Sequence, residues 1–176
     1  MRIIKTKIDN CIIIEPDSFY DSRGFFLESF NYKKYSEVLN ISKNFVQDNH
    51  SSSKKHVLRG LHYQENKPQG KLVRVVSGEV FDVAVDLRKN SSSYGEHVSV
   101  ILSGSNKKQF WVPPGFAHGF LVLSEAAEFE YKCTDYYDAK DERCLLWNDS
   151  ELKIDWPCDK PLLSEKDSLG KPLADH

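Results

Sequence analysis

No stretch of this sequence approaches the roughly 18 consecutive apolar residues of a membrane-spanning helix, so no span is expected. The opening MRIIKTKIDN is broken by Lys5, Lys7 and Asp9 and does not read as a secretory leader. Cysteine is scarce. Cys11, Cys133, Cys144 and Cys158 are widely spaced and form no CxxC pair, which predicts reduced thiols in a cytoplasmic protein. Neither sign of charge dominates: the net charge is -2, which gives no electrostatic footprint for nucleic acid. The Gly-rich loop of a dinucleotide site is missing, as are internal repeats and low-complexity linkers. What remains is 176 residues, enough for one domain (1–176) with a sizeable core.

The informative stretch is Gln47 to Arg74, QDNHSSSKKHVLRGLHYQENKPQGKLVR. A polar, basic run is ordinarily a solvated surface. Here it is interleaved with Val57, Leu58, Leu61, Leu72 and Val73, which favour burial. Polar groups on buried strands need partners or a ligand, so this stretch is a candidate pocket wall.

The rest of the pattern is mainly β. Short strands are expected at 2–8 and 10–15, with a turn at Asp21-Ser22-Arg23-Gly24 feeding an aromatic strand to Phe30. Tyr32, Tyr35, Val38 and Leu39 recur at helical spacing after Asn31, which predicts one helix over 31–40. Further strands are expected at 45–49, 57–64, 71–77, 79–87, 96–102, 108–112, 117–123 and 127–134. Such spacing suggests a sandwich, barrel or jelly roll. In 79–87, Phe81, Val83, Val85 and Leu87 alternate with Asp82, Ala84 and Asp86. The last thirty residues are expected to pack as a cap with short helical turns.

Individual residues then divide between bland and functional readings. His62 shares parity with Leu58 and Gln64, while Arg59 falls on the other face. For both to face one pocket the strand must bulge, and Gly60 is where a bulge costs least. Lys71 shares parity with Val73 and Val75, yet pattern alone favours a strand-end lysine reaching water. Gln47 and Asn49 share parity on the preceding strand. Tyr131 lies with Phe129 and Cys133, as either a core tyrosine or a proton donor. Tyr136 and Tyr137 read as surface aromatics or a stacking platform, and Asp167 in Ser164-Glu165-Lys166-Asp167 reads first as solvated surface.

Pro113-Pro114-Gly115-Phe116-Ala117-His118 resembles the second motif of cupin barrels, PxGxxH. The HxH pair and glutamate of the first cupin motif are not matched, since only His62 stands there. A stable divalent site usually needs three or more protein ligands, so a barrel without a metal is expected.

Several motifs in order resemble the dTDP-4-dehydrorhamnose 3,5-epimerase family. They are Asp21-Ser22-Arg23-Gly24-Phe25-Phe26-Leu27-Glu28, Gln47-Asp48-Asn49-His50-Ser51, Leu58-Arg59-Gly60-Leu61-His62-Tyr63-Gln64, Gln69-Gly70-Lys71-Leu72-Val73-Arg74, Pro114-Gly115-Phe116-Ala117-His118-Gly119-Phe120 and Leu163-Ser164-Glu165-Lys166-Asp167. The resemblance implies a cupin-type jelly roll with no cofactor, and a homodimer whose N-terminal strands pair with the partner subunit. It implies inversion at C3 and C5 of dTDP-4-dehydro-6-deoxy-D-glucose. By resemblance His62 is the base, Asp167 its holder, Tyr131 the acid and Lys71 the group at the keto oxygen. Arg23 and Arg59 match phosphate-contacting arginines. Phe26, Glu28, Gln47, Asn49, His118 and Tyr137 match substrate contacts, and Tyr136 a thymine-stacking residue. Alternatives are a relative inverting C3 alone, a metal-dependent cupin enzyme and a non-catalytic sugar-binding module.

Overall fold

The computed structural model describes residues 1–41 and 43–176. Two short strands, β1 (Arg2–Lys5) and β2 (Ile12–Glu15), open the chain, followed by the hairpin β3 (Ser18–Asp21) and β4 (Gly24–Leu27). Helix α1 (Tyr32–Leu39) begins where the Asn31 side chain accepts from the Lys34 N–H and ends at Asn40 in the left-handed region. Eight strands follow: β5 (Gln47–Lys54), β6 (Leu58–Gln64), β7 (Lys71–Ser77), β8 (Glu79–Asp86), β9 (His97–Ser103), β10 (Gln109–Val112), β11 (Phe116–Val122) and β12 (Ala126–Cys133). The short β13 (Glu142–Cys144), the helix α2 (Glu165–Ser168) and a 3₁₀ turn at Leu173–Asp175 complete the order.

The strands form a six-stranded sheet, β1-β2-β10-β7-β12-β5, and a five-stranded sheet, β13-β6-β11-β8-β9. The sheets face each other as a mainly β sandwich and do not close into a barrel. Between them pack Val73, Val75, Phe110, Phe129, Ala84, Val100, Leu102, Phe120 and Val122. Phe120 and Phe129 stack across the gap with centroids 4.2 Å apart. Burial of each valine, leucine or phenylalanine among them stabilises the fold by roughly 1.5–3 kcal/mol.

The alternation in β8 is real, but both of its faces are buried. Val83, Val85 and Phe81 turn away from the sandwich and are covered by the C-terminal segment through Leu145, Leu152 and Trp156. Val80 and Ala84 turn inward, and the inward Asp82 and Asp86 are fully buried. Helix α1 covers the outer face of the other sheet, setting Tyr35 and Leu39 against Leu72 and Trp111. One pair of sheets is therefore wrapped on both outer faces, and the polar pocket lies between them.

Candidate active site

Hydrophobic side chains fill one part of the space between the sheets, and polar ones line the other. The polar part is a cavity of about 400 Å³. Its walls come from the inward positions of β5, β6, β7, β11 and β12, with α2 and β13 at the mouth.

The expected bulge in β6 is present. His118 pairs with His62 and Phe120 with Arg59, so two steps along β11 oppose three along β6. Gly60 and Leu61 absorb the extra residue, which turns both Arg59 and His62 into the cavity while Leu61 stays under the C-terminal cover. Gly60 sits at φ +125, and a Cβ there would lie 2.6 Å from Gly119 Cα. Only glycine fits, so the close approach of two backbones aims the site.

His62 Nε2 is 2.5 Å from Asp167 Oδ1, across 105 residues of sequence. Asp167 is not solvated surface: it is 3% exposed, which corrects the local reading of a charged tail. Ser164, the cap of α2, donates its hydroxyl to Asp167 Oδ2 at 2.7 Å. Two parallel bridges, Val57–Leu162 and Leu145–Lys171, fasten the chain on either side of α2. Burial pushes the Asp167 carboxyl up, but hydrogen bonds from His62 and Ser164 outweigh it and hold the carboxyl below its usual range. With Nε2 committed to Asp167, Nδ1 is the nitrogen available for chemistry. Glu142 Oε1 lies 3.8 Å from it.

Lys71 also departs from its local reading. It is 9% exposed rather than reaching water, because β7 parity points it between the sheets. Its ammonium donates to the His62 carbonyl at 3.4 Å. Burial lowers its pKa, while the Cys133, Glu142 and Asp82 charges act the other way. Tyr131 comes from β12, in the sheet opposite His62. Its phenol is pushed up to about 12 by burial, with Cys133 and Glu142 adding to the shift.

Other expected residues take supporting places. His118 Nε2 is 2.9 Å from Asp82 Oδ1, and burial pushes that carboxyl up against the pull of His118. Arg59 Nε donates to Ser53 Oγ at 2.9 Å. Gln47 donates to Asn49 Oδ1 at 3.1 Å and accepts from the Tyr137 N–H at 2.9 Å. Tyr137 lines the cavity mouth, whereas Tyr136 is exposed outside the cavity lining.

Arg23, Phe26 and Glu28 are not brought to this cavity by their own chain. They lie on or next to the β3–β4 hairpin, where Arg23 pairs with Asp21 at 2.6 Å and Glu28 with Lys34 at 2.8 Å. Phe26 is 71% exposed, and Phe19, Tyr20 and Phe25 are exposed beside it.

Three site residues escaped sequence reasoning. Glu142 accepts from Lys166 at 2.8 Å and from the Tyr137 hydroxyl at 3.0 Å. It lies on a three-residue strand too short to carry a period. Lys166 stands in the charged run Ser164-Glu165-Lys166-Asp167, whose pattern does not single it out. Asp82 shares parity with Val80 and Ala84, the available hint that its face is buried.

His62, Cys144 and Asp167 place an imidazole, a thiol and a carboxylate within 4.8 Å of one another. The carboxylate already holds Nε2. Burial and Asp167 push the Cys144 thiol up to about 11, away from the thiolate a metal binds. This donor set fits a histidine base better than a metal centre.

A family model described as dTDP-4-dehydrorhamnose 3,5-epimerase matches residues 5–175. The dTDP-4-dehydrorhamnose 3,5-epimerase of Pseudomonas aeruginosa is 57% identical over 176 residues, spanning 99% of this chain and 97% of that protein. Among solved structures, the dTDP-6-deoxy-D-glucose-3,5-epimerase of Legionella pneumophila in complex with dTDP-4-keto-L-rhamnose superposes with a TM-score of 0.96 at 57% identity, covering 98% of this chain and 93% of that one. A 3'-monoepimerase from Streptomyces bikiniensis in complex with dTDP-quinovose gives a TM-score of 0.90 at 30% identity, covering 96% and 86%.

Proposed function

The chain belongs to the dTDP-4-dehydrorhamnose 3,5-epimerase family, and from that premise we propose how its pocket inverts two carbons of one sugar. The sandwich is the cupin-type jelly roll of that family. The enzyme is an isomerase: it converts dTDP-4-dehydro-6-deoxy-D-glucose to dTDP-4-dehydro-L-rhamnose. The 3,5-epimerases of Pseudomonas aeruginosa and Legionella pneumophila are each 57% identical to this chain, against 30% for the 3'-monoepimerase, which favours double over single inversion.

Both carbons flank the C4 ketone, so each proton can leave as an enolate forms. In a D-gluco chair the hydrogens on C3 and C5 are axial on the same ring face. One base can therefore take both, and one acid across the ring can replace both. The observation that carries this reading is one cavity lined by His62 of one sheet, held by Asp167 of α2, and by Tyr131 and Lys71 of the opposite sheet.

In this reading His62 Nδ1 removes the proton while Asp167 fixes the tautomer and stabilises the imidazolium. The Lys71 ammonium, and His118 beside it, stabilise the oxyanion growing at C4. Tyr131 donates to the opposite face. Arg59 binds the diphosphate, Gln47 and Asn49 contact the substrate, and Tyr137 with Tyr136 flanks the thymine.

Arg23, Phe26 and Glu28 complete the site from a second copy. The exposed aromatic hairpin is shaped for insertion rather than solvent, and Arg23 would meet phosphate instead of Asp21. The assembly is then a homodimer with exchanged N-terminal strands, working in the cytoplasm.

The test is proton NMR of the 4-keto sugar nucleotide in D₂O with the enzyme. Deuterium at both C3 and C5 is expected. Deuterium at C3 alone would move the protein to the single-inversion branch, and none at either carbon would return it to a binding module.

A further inference from the structure

We propose that Glu142 is the group that empties His62 between the two inversions. This rests on the epimerase reading above and deepens it.

The need arises from proton bookkeeping. Each inversion moves one proton from the sugar to His62 and one from Tyr131 to the sugar. After the first, the base is full and the acid is empty. A second inversion during the same encounter requires that His62 lose its proton and Tyr131 regain one while the sugar covers the cavity. A single epimerase can reset after release; a double one must reset with the ligand in place.

The geometry points to one exit. Asp167 already occupies Nε2 and lies on the buried side of α2. The proton gained therefore sits on Nδ1, on the side where Glu142 Oε1 stands at 3.8 Å. Imidazolium formation adds a charge that draws the carboxylate the remaining distance. The other oxygen, Oε2, is held by Lys166 and Tyr137, both exposed at the mouth. Glu142 therefore bridges a covered base and the solvent edge.

Its electrostatics suit a carrier rather than a store. Burial pushes the Glu142 carboxyl up, but Lys166, His62 and Tyr137 together hold it below the usual range. It is ionised at neutral pH, and when protonated it returns the proton quickly. The balance per inversion is one proton from His62 Nδ1 to Glu142 Oε1 and on to water, and one from water to the Tyr131 phenolate. No electrons move.

The test is a single-turnover time course in D₂O with Glu142→Gln, which keeps an acceptor for Lys166 and Tyr137 but cannot carry a proton. Wild type is expected to deuterate C3 and C5 with little free singly inverted sugar. In the variant the first inversion stays within about threefold of wild type, while the second slows at least about tenfold and singly inverted sugar is released. Glu142→Ala should recover the second step when acetate is supplied as a diffusible carrier. Equal slowing of both steps would make Glu142 a binding or structural group and overturn the proposal, as would an unchanged variant or failure of acetate rescue. If wild type itself does not deuterate both carbons, the epimerase reading fails and takes this inference with it; the variant results overturn this inference alone.

Discussion

Replacing Asp167 by Asn changes one atom in a buried hydrogen bond and tests the base directly. In the native site the carboxylate accepts from His62 Nε2 at 2.5 Å and from Ser164 Oγ at 2.7 Å. An amide can meet His62 in two ways. If its oxygen faces Nε2, the tautomer survives but a charge-assisted bond becomes neutral. That difference is about 1–2 kcal/mol, or roughly 5- to 30-fold in rate. If its NH₂ faces Nε2, that nitrogen must accept, the imidazole proton moves to Nδ1, and the base is blocked. The cost then approaches the roughly 10⁴-fold seen when a serine-protease triad is locked in the wrong tautomer. We therefore expect kcat to fall at least about fivefold while KM moves less than about threefold. The assay is deuterium exchange at C3 and C5 followed by NMR. Stability supplies a second readout. The Asp167 carboxyl is depressed in the folded state, so its contribution is present above the unfolded value of about 3.9 and is lost as pH falls through the folded value. The gap in Tm between wild type and variant should close below about pH 4. Turnover within threefold of wild type at neutral pH would refute the assignment of Asp167.

Tyr131→Phe should leave proton removal partly intact, because His62 stands on the opposite sheet. Exchange at C3 and C5 then persists while net inversion falls by about 10²-fold or more; equal loss of both would remove Tyr131 from the acid's role. Gly60→Ala places a methyl 2.6 Å from Gly119 Cα and 2.7 Å from the His118 carbonyl, at a φ of +125. The conformational term alone costs about 1–3 kcal/mol, which for a chain of this size lowers Tm by several degrees. Thermal melting checks it, and an unchanged Tm would mean that the two backbones can part without loss.

Much of the framework was legible in alternation and turns. The strands around 71–87 and 108–134 stand close to their expected bounds, and Asn31 begins the helix as its residue type suggests. The bulge at Gly60 was legible too, since two polar side chains of opposite parity needed one pocket. Strand β5 runs to Lys54 where 45–49 was expected, because its inward face carries Ser51 and Ser53 rather than hydrophobes. Lys71 and Asp167 read locally as surface. Their burial depends on contacts far along the chain, which no window of neighbours contains; the family resemblance alone pointed to them. Glu142 lay in a strand defined by its partner β6 rather than by its own pattern.

The distance between His62 and its carboxylate has a temporal side. A chain made from its N-terminus presents β6, β11 and most of both sheets well before residue 167 emerges. Until α2 docks between its two bridges, the imidazole has its strand but no fixed proton. Synthesis therefore delivers the histidine early and the carboxylate that sets its proton last. The helix of four residues that closes the assembly also supplies the carboxylate that arms the base.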